Sequence, residues 1–199
     1  SLLGQAIGTA AAIAAREGTG PRGVYTDHLQ ELKQTLMTDD SYLPFNRREI
    51  NKITSNSEVT SSNDGDAAAV VNGFDRTIGD NENAWTASKG DSIKFRWQDP
   101  VSLCRIRLVF DSNLSRDGRN MVSYYSLDVE PYKVAPELVK KFTIEYLSSD
   151  GKWSLLTAEE NNYQRLVWID TEYTTAGIRI TPTESWGNDT VKVFSVDFY

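Results

Sequence analysis

The sequence predicts a mainly β protein, a jelly-roll β-sandwich preceded by two α-helices. Three observations carry this. Val101–Leu114 alternates: Cys104, Ile106, Leu108 and Phe110 fall on one side of an extended chain, Arg105, Arg107 and Val109 on the other. A period of two marks a strand with one face on a core and one facing water. Later stretches repeat the alternation, separated by turn signals such as Ser149-Asp150-Gly151 and Trp186-Gly187-Asn188. The first forty residues instead space their apolar side chains as helices do.

Leu2–Arg16 reads as a helix of Ala, Leu and Ile, with Gly4 and Gly8 near its start and Gly18 and Gly20 as its stop. Its surface is mostly small residues, as in a core helix whose partner is missing. The expectation is therefore a chain cut from something larger. Pro21 opens a second helix, Arg22–Thr38, with Tyr25, Leu29, Leu32 and Leu36 as its apolar stripe. Phe45–Ile53 is polar and basic and reads as a linker. The expected domains are a helical segment at 1–44, a linker at 45–55 and a sandwich at 56–199. Within the sandwich, Glu58–Ser62 is a short strand and Asp66–Val71 a helical turn. A polar loop carrying Asp75, Asp80, Glu82 and Asn83 runs on to Trp85. Further strands are predicted at Ser92–Trp97, Ser102–Phe110, Lys141–Leu147, Trp153–Ala158, Arg165–Ile169, Gly177–Thr183 and Val191–Tyr199. In the last of these, Phe194, Val196 and Phe198 alternate with Ser195 and Asp197. About eight strands with one apolar face each suit a jelly roll.

Composition narrows the function. A net charge of -7 disfavours nucleic acid, which needs a basic face to displace counterions. The single cysteine, Cys104, excludes an intramolecular disulfide and a multi-cysteine zinc site, and its strand position points it into the core. The single histidine, His28, has no motif around it and reads as a surface or interface residue. The apolar start lacks a basic lead-in, and it reaches Arg16 before the ~20 residues that span a membrane. No membrane partner is expected. Adjacent carboxylates at Glu159-Glu160 point to opposite faces of a strand and do not form an acid–base pair. Arg105 and Arg107 share the outward face of their strand and need acidic company, with Glu145 the best internal candidate and a docked partner surface the other.

Two resemblances go further. Leu3-Gly4-Gln5-Ala6-Ile7-Gly8-Thr9-Ala10-Ala11-Ala12 resembles the last FAD-contacting helix of bacterial FAD-dependent oxidoreductases, and Pro21, Arg22 and Tyr25 resemble the tail that follows it. This likeness implies that Gly4, Gln5, Ala6 and Gly8 approach FAD in an intact parent. FAD is not expected on this chain, which lacks the strand–glycine turn–helix unit of a dinucleotide fold. Residues 56–199 resemble a galactose-binding-like, discoidin-type sandwich. The carrying residues are Ala69-Val70-Val71-Asn72-Gly73-Phe74-Asp75, Ala84-Trp85 and the closing Val193–Tyr199, with Phe110–Leu114 and Asn161–Arg165 beside them.

The resemblance implies a non-catalytic accessory domain that packs on or covers the flavin domain of the same protein. The alternative is a discoidin-type carbohydrate-binding module. Many such domains hold calcium in the loop here occupied by Asn72, Asp75 and Asp80; a calcium ion takes six to eight oxygens, which such a loop can supply. The closing strand of the family often adds a glutamate, where this chain has Ser195. Sugar binding calls for aromatics beside polar groups at one end of the sandwich. The candidates are Arg76, Asn161, Asn162, Arg165, Trp186 and Asn188, against a reading in which Trp186 caps the core and the polar groups brace loops.

Overall fold

The computed structural model describes residues 2–114 and 134–199, in two compact units, Ser1–Glu49 and Ile50–Tyr199. In the first unit, α1 (Leu2–Glu17) is one residue longer than predicted. The second predicted helix is two, α2 (Pro21–Asp27) and α3 (Leu29–Thr38), because His28 leaves helical geometry with φ -123° and ψ 15°. Its Nδ1 lies 3.3 Å from Glu31 Oε2. Pro21 sits in the first helical turn, where its missing N–H costs nothing. Among the described residues no helix is long and apolar enough to cross a membrane.

Among its described residues the second unit is antiparallel β, apart from a short α4 (Lys52–Ser55) and a 3-10 turn at Ala67–Val71. Its strands are β1 (Glu58–Ser61), β2 (Trp85–Ser88), β3 (Ile93–Phe110), β4 (Val139–Leu147), β5 (Trp153–Glu159), β6 (Leu166–Ser185) and β7 (Thr190–Phe198). They run in the order β2-β7-β3-β6-β4-β5, with β1 also on β3. Two pairs of predicted strands are single long ones, 92–97 with 102–110 and 165–169 with 177–183. The polar gaps that look like turns are where β3 and β6 bend together. Their register slips between Arg96 and Val101, where four residues of β3 face one of β6. Residues 93–96 of β3 pair with β1 and with 177–180 of β6, while 106–110 pair with β7. The sheet is thereby folded into two layers. Phe198 of β7 meets Phe95 at 4.9 Å and Trp97 at 5.1 Å, both edge-on, and Phe110 meets Phe142 at 5.3 Å.

Two bulges correct the inward list. The amides of Cys104 and Arg105 both point at the Tyr199 carbonyl, at 2.6 and 3.1 Å, so two residues of β3 face one. Leu103 takes the core position and Cys104 is exposed, contrary to the simple alternation. In β7 the register slips between Val109 and Phe110, so Val193 joins Val196 and Phe198 in the main core. Phe194 turns to a small outer cluster with Ala84, Val109 and Leu166. Trp85, read as the end of a loop, opens β2 and is fully buried, its Nε1 held by Asn63 Oδ1 at 2.9 Å.

Candidate functional site

The bend in β6 decides where the loops gather. β6 leaves the 160–165 loop in one layer and finishes in the other, yet its two ends meet. Trp186 Nε1 donates to the Asn162 carbonyl at 2.7 Å, and the Trp186 amide to the Leu138 carbonyl at 3.1 Å. The Gly187 amide donates to the Pro136 carbonyl at 2.9 Å. A Cβ on Gly187 would sit 2.8 Å from Pro136 Cβ, so this close approach needs glycine. The end of β3 arrives at the same rim: Phe110 and Arg165 exchange bonds, the Phe110 amide to the Arg165 carbonyl and the Arg165 guanidinium to the Phe110 carbonyl, each at 2.9 Å.

Arg165 is the hub of this end. Its guanidinium also donates to the carbonyl of Asp75 and lies over the Phe194 ring, 5.1 Å from the centroid. Asp75 is fixed from the other side by Arg107, whose guanidinium donates to its carboxylate at 2.7 Å and to Ser195 Oγ at 3.3 Å. Arg107 is therefore not outward and solvated. Its side chain is wholly buried, beneath the 72–84 loop that the alternation could not foresee. Arg105 is exposed and pairs with Asp170 at 2.5 Å. The two arginines lie 5.2 and 6.0 Å from the Trp168 ring, which offers both a cation–π contact. Glu145, the expected partner, grips Arg179 with both oxygens instead, at 2.5 and 2.6 Å.

Between the 72–84 loop, the β3 exit and β7 lies a cleft of about 220 Å³. Arg76, Thr77 and Arg165 form one part of its lining, Asp111, Asn113 and Leu114 another, and Lys192 and Phe194 the rest. Asn113 adopts φ 49°, a left-handed conformation that asparagine tolerates better than most residues. Its amide donates to Asp111 Oδ1 at 2.7 Å and its side chain to Glu137 Oε1 at 2.8 Å, which fixes the turn. Lys192 reaches Glu82 at 2.7 Å across the rim.

Of the predicted sugar candidates, Arg76 and Arg165 line this cleft. Asn162 is buried and spends its amide on the carbonyls of Val139 and Gln164, at 2.8 and 2.9 Å. Asn188 closes its turn through a backbone bond to Ser185 Oγ at 2.8 Å. Trp186 is half-buried, 4.6 Å from the exposed Tyr163 ring, with Lys140 Nζ 5.1 Å from its face. Asn161 Nδ2 donates to the Tyr163 hydroxyl at 3.2 Å. Sequence reasoning missed Asp111, Asn113, Lys192 and Phe194 as lining residues. The polar turn directly after a strand was the available signal for the first two. No signal marked Phe194, whose outward turn depends on the bulge.

The calcium candidates divide. Asp75 is turned to Arg107, while Asn72 and Asp80 line a separate depression with Asp66 and Glu82. The Asn72 side chain accepts the Phe74 amide at 2.8 Å and donates to Asn83 at 3.0 Å. A guanidinium on the Asp75 carboxylate does not suit a dication. Among the described residues no group of three or more His, Cys, Asp or Glu is placed to hold a metal. In α1, Gly4, Gln5 and Gly8 are exposed and Ala6 half-buried, and Gln5 Oε1 accepts Ser41 Oγ at 3.1 Å. A Cβ on Gly4 or Gly8 would meet nothing within 4 Å. Within this structure, then, no close contact calls for glycine at either place.

No protein-family profile and no curated protein sequence matches the chain. Solved structures do. The family 32 carbohydrate-binding module from Streptococcus pneumoniae EndoD aligns with a TM-score of 0.53 at 16% identity, over 72% of this chain and 94% of that one. The family 32 module of C. perfringens NanJ, in complex with galactose, gives 0.51 at 11% identity, over 73% and 94%. The GH31 CBM32-2 module bound to GalNAc gives 0.52 at 13%, over 72% and 97%. At such identities the likeness establishes architecture, and the chain carries the galactose-binding-like β-sandwich.

Proposed function

We propose that this chain is a non-catalytic carbohydrate-binding module and that it binds sugar in the cleft between Arg76, Asn113, Arg165 and Lys192. The observation that carries the reading is the cleft itself, at the loop end of a galactose-binding-like sandwich. Its donors are set by the fold rather than by loop accident. Arg165 is anchored by two carbonyls and the Phe194 ring, and Asn113 by Asp111 and Glu137. Sugar hydroxyls both donate and accept, and the lining offers guanidinium, ammonium and amide donors beside the Asp111 carboxylate. The volume lies below the ~300–1,000 Å³ of drug-sized sites, which fits one sugar residue better than a longer chain.

Similar folds supply further support: the NanJ module was solved with galactose and the GH31 module with GalNAc. The other reading, an accessory domain on a flavin-dependent oxidoreductase, has the likeness of residues 3–12 behind it and no counterpart among these modules. The test is calorimetric titration with galactose and GalNAc. Binding is expected, and Arg76→Ala should weaken it about tenfold or more, the worth of a hydrogen bond from a charged group. Absence of heat with these and a broad glycan panel contradicts the proposal.

A further inference from the structure

We infer that Asn83, which lines the separate depression and not the cleft, is a positioning residue that sets the affinity of the cleft for sugar by holding the main chain that carries Arg76; the inference rests on the carbohydrate reading above. Arg76 and Thr77 reach the cleft from a loop. A loop that a ligand must first order gives up part of the binding energy to that ordering. This one is tied beforehand. Asn83 Nδ2 donates to the Arg76 carbonyl at 3.1 Å and to the Asn81 carbonyl at 3.3 Å. Its Oδ1 accepts from Asn72 Nδ2 at 3.0 Å, and Asn72 Oδ1 accepts the Phe74 amide at 2.8 Å.

The chemistry of this chain of bonds fixes which way both side-chain amides face. A main-chain N–H only donates, so Asn72 turns its oxygen to Phe74 and its nitrogen to Asn83. Asn83 then turns its oxygen to Asn72, which leaves its two N–H donors for two carbonyls that only accept. No flipped arrangement satisfies the same partners. The backbone also suits asparagine here, since Asn83 has φ 52°. Nearer the tip, Ile78 and Asn81 exchange main-chain bonds at 2.9 and 3.1 Å around Gly79, which has φ 57°. The anchor of the whole arrangement is the sheet. Two residues after Asn83, the buried Trp85 opens β2, where Trp85 pairs with Val193 and Thr86 with Lys192. That partner strand, β7, supplies Lys192 and Phe194 to the cleft. Asn83 thereby ties the main chain at Arg76 to the strand beside the opposite wall.

The full chain and its variants are titrated with galactose and GalNAc, and each is unfolded in urea in parallel. Asn83→Gly keeps the left-handed backbone and removes the side-chain bonds. It should weaken sugar binding about fivefold, the order of one net hydrogen bond, with the unfolding midpoint little changed. Asn83→Asp keeps the shape and the oxygen facing Asn72 but loses both donors, and should weaken binding by a similar factor. In an Arg76→Ala background either change should cost less than about twofold, because Asn83 acts through Arg76. Unchanged affinity in both single variants overturns the inference and leaves the carbohydrate reading standing. So does a full loss repeated in the Arg76→Ala background, which makes Asn83 independent of Arg76. A loss of affinity that comes with a large fall in the unfolding midpoint also overturns it, in favour of a purely structural role. Failure of both sugars to bind the unaltered chain overturns the inference and the carbohydrate reading together.

Discussion

Replacing Arg107 by methionine removes the cation from the centre of the sandwich's outer face. The Arg107 side chain is fully buried and that of Asp75 is 9% exposed, with 2.7 Å between them. Taking one partner from such a pair strands the other charge in a poor solvent and costs about 3–5 kcal/mol. That is a large part of the ~5–15 kcal/mol typical of a domain. The readout is convenient, because all five tryptophans (85, 97, 153, 168 and 186) lie in the second unit. Their fluorescence during urea unfolding reports the sandwich alone. With a slope of ~2 kcal/mol/M the midpoint should fall by about 2 M. Arg107→Met combined with Asp75→Leu should lose less than the sum of the two single changes, since the second change removes the stranded charge. A loss under ~0.5 kcal/mol for Arg107→Met, the range of surface substitutions, would refute the buried-pair reasoning.

Other outcomes follow from the same geometry. Phe198→Ala removes a ring that touches Phe95 and Trp97 across the layers, and should cost about 3–5 kcal/mol in the same unfolding assay. Cys104 should react with a thiol reagent in the native protein as fast as after unfolding, because the bulge exposes it; strong protection would place it back in the core. Chymotrypsin should cut first after Phe45, which is fully exposed with φ 63° near the end of the first unit, and leave the strands intact. Hydrogen bonds from Lys140 and then Lys141 hold the Glu184 carboxyl below the usual glutamate range. The stability it lends is present above the unfolded glutamate value and lost as pH falls through the lower folded one. A carboxyl-carbon NMR titration should therefore place Glu184 below free glutamate, and Lys140→Ala should move it up.

What the sequence revealed and what it hid divide along a physical line. Local alternation located nearly every strand, because side-chain period depends only on neighbours a residue or two away. It failed at Cys104 and Phe194, where one extra residue in a bulge reverses the faces, and composition gives a bulge no mark. It also split β3 and β6, since a bend between layers and a turn between strands share the same polar residues. Arg107 looked solvated because alternation knows one sheet and not the loop laid over it. The site was partly legible for the same reason. Arg76 and Arg165 are both sugar candidates in the sequence, and both line the cleft. Asn162 looked equally available, but its side-chain amide donates to the Val139 carbonyl, a partner distant in sequence. Lys192 and Phe194 come from a strand, where nothing nearby in sequence signals a ligand.

The most direct test of the account is a two-dimensional amide NMR titration of the chain with galactose and GalNAc. Shifts should concentrate at residues 76–77, 111–114, 165 and 192–194, and the Arg165 guanidinium signal should move with them. Shifts confined to the opposite face around Trp153 and Arg179, or none at saturating sugar, would contradict the claim that the loop-end cleft is the binding site.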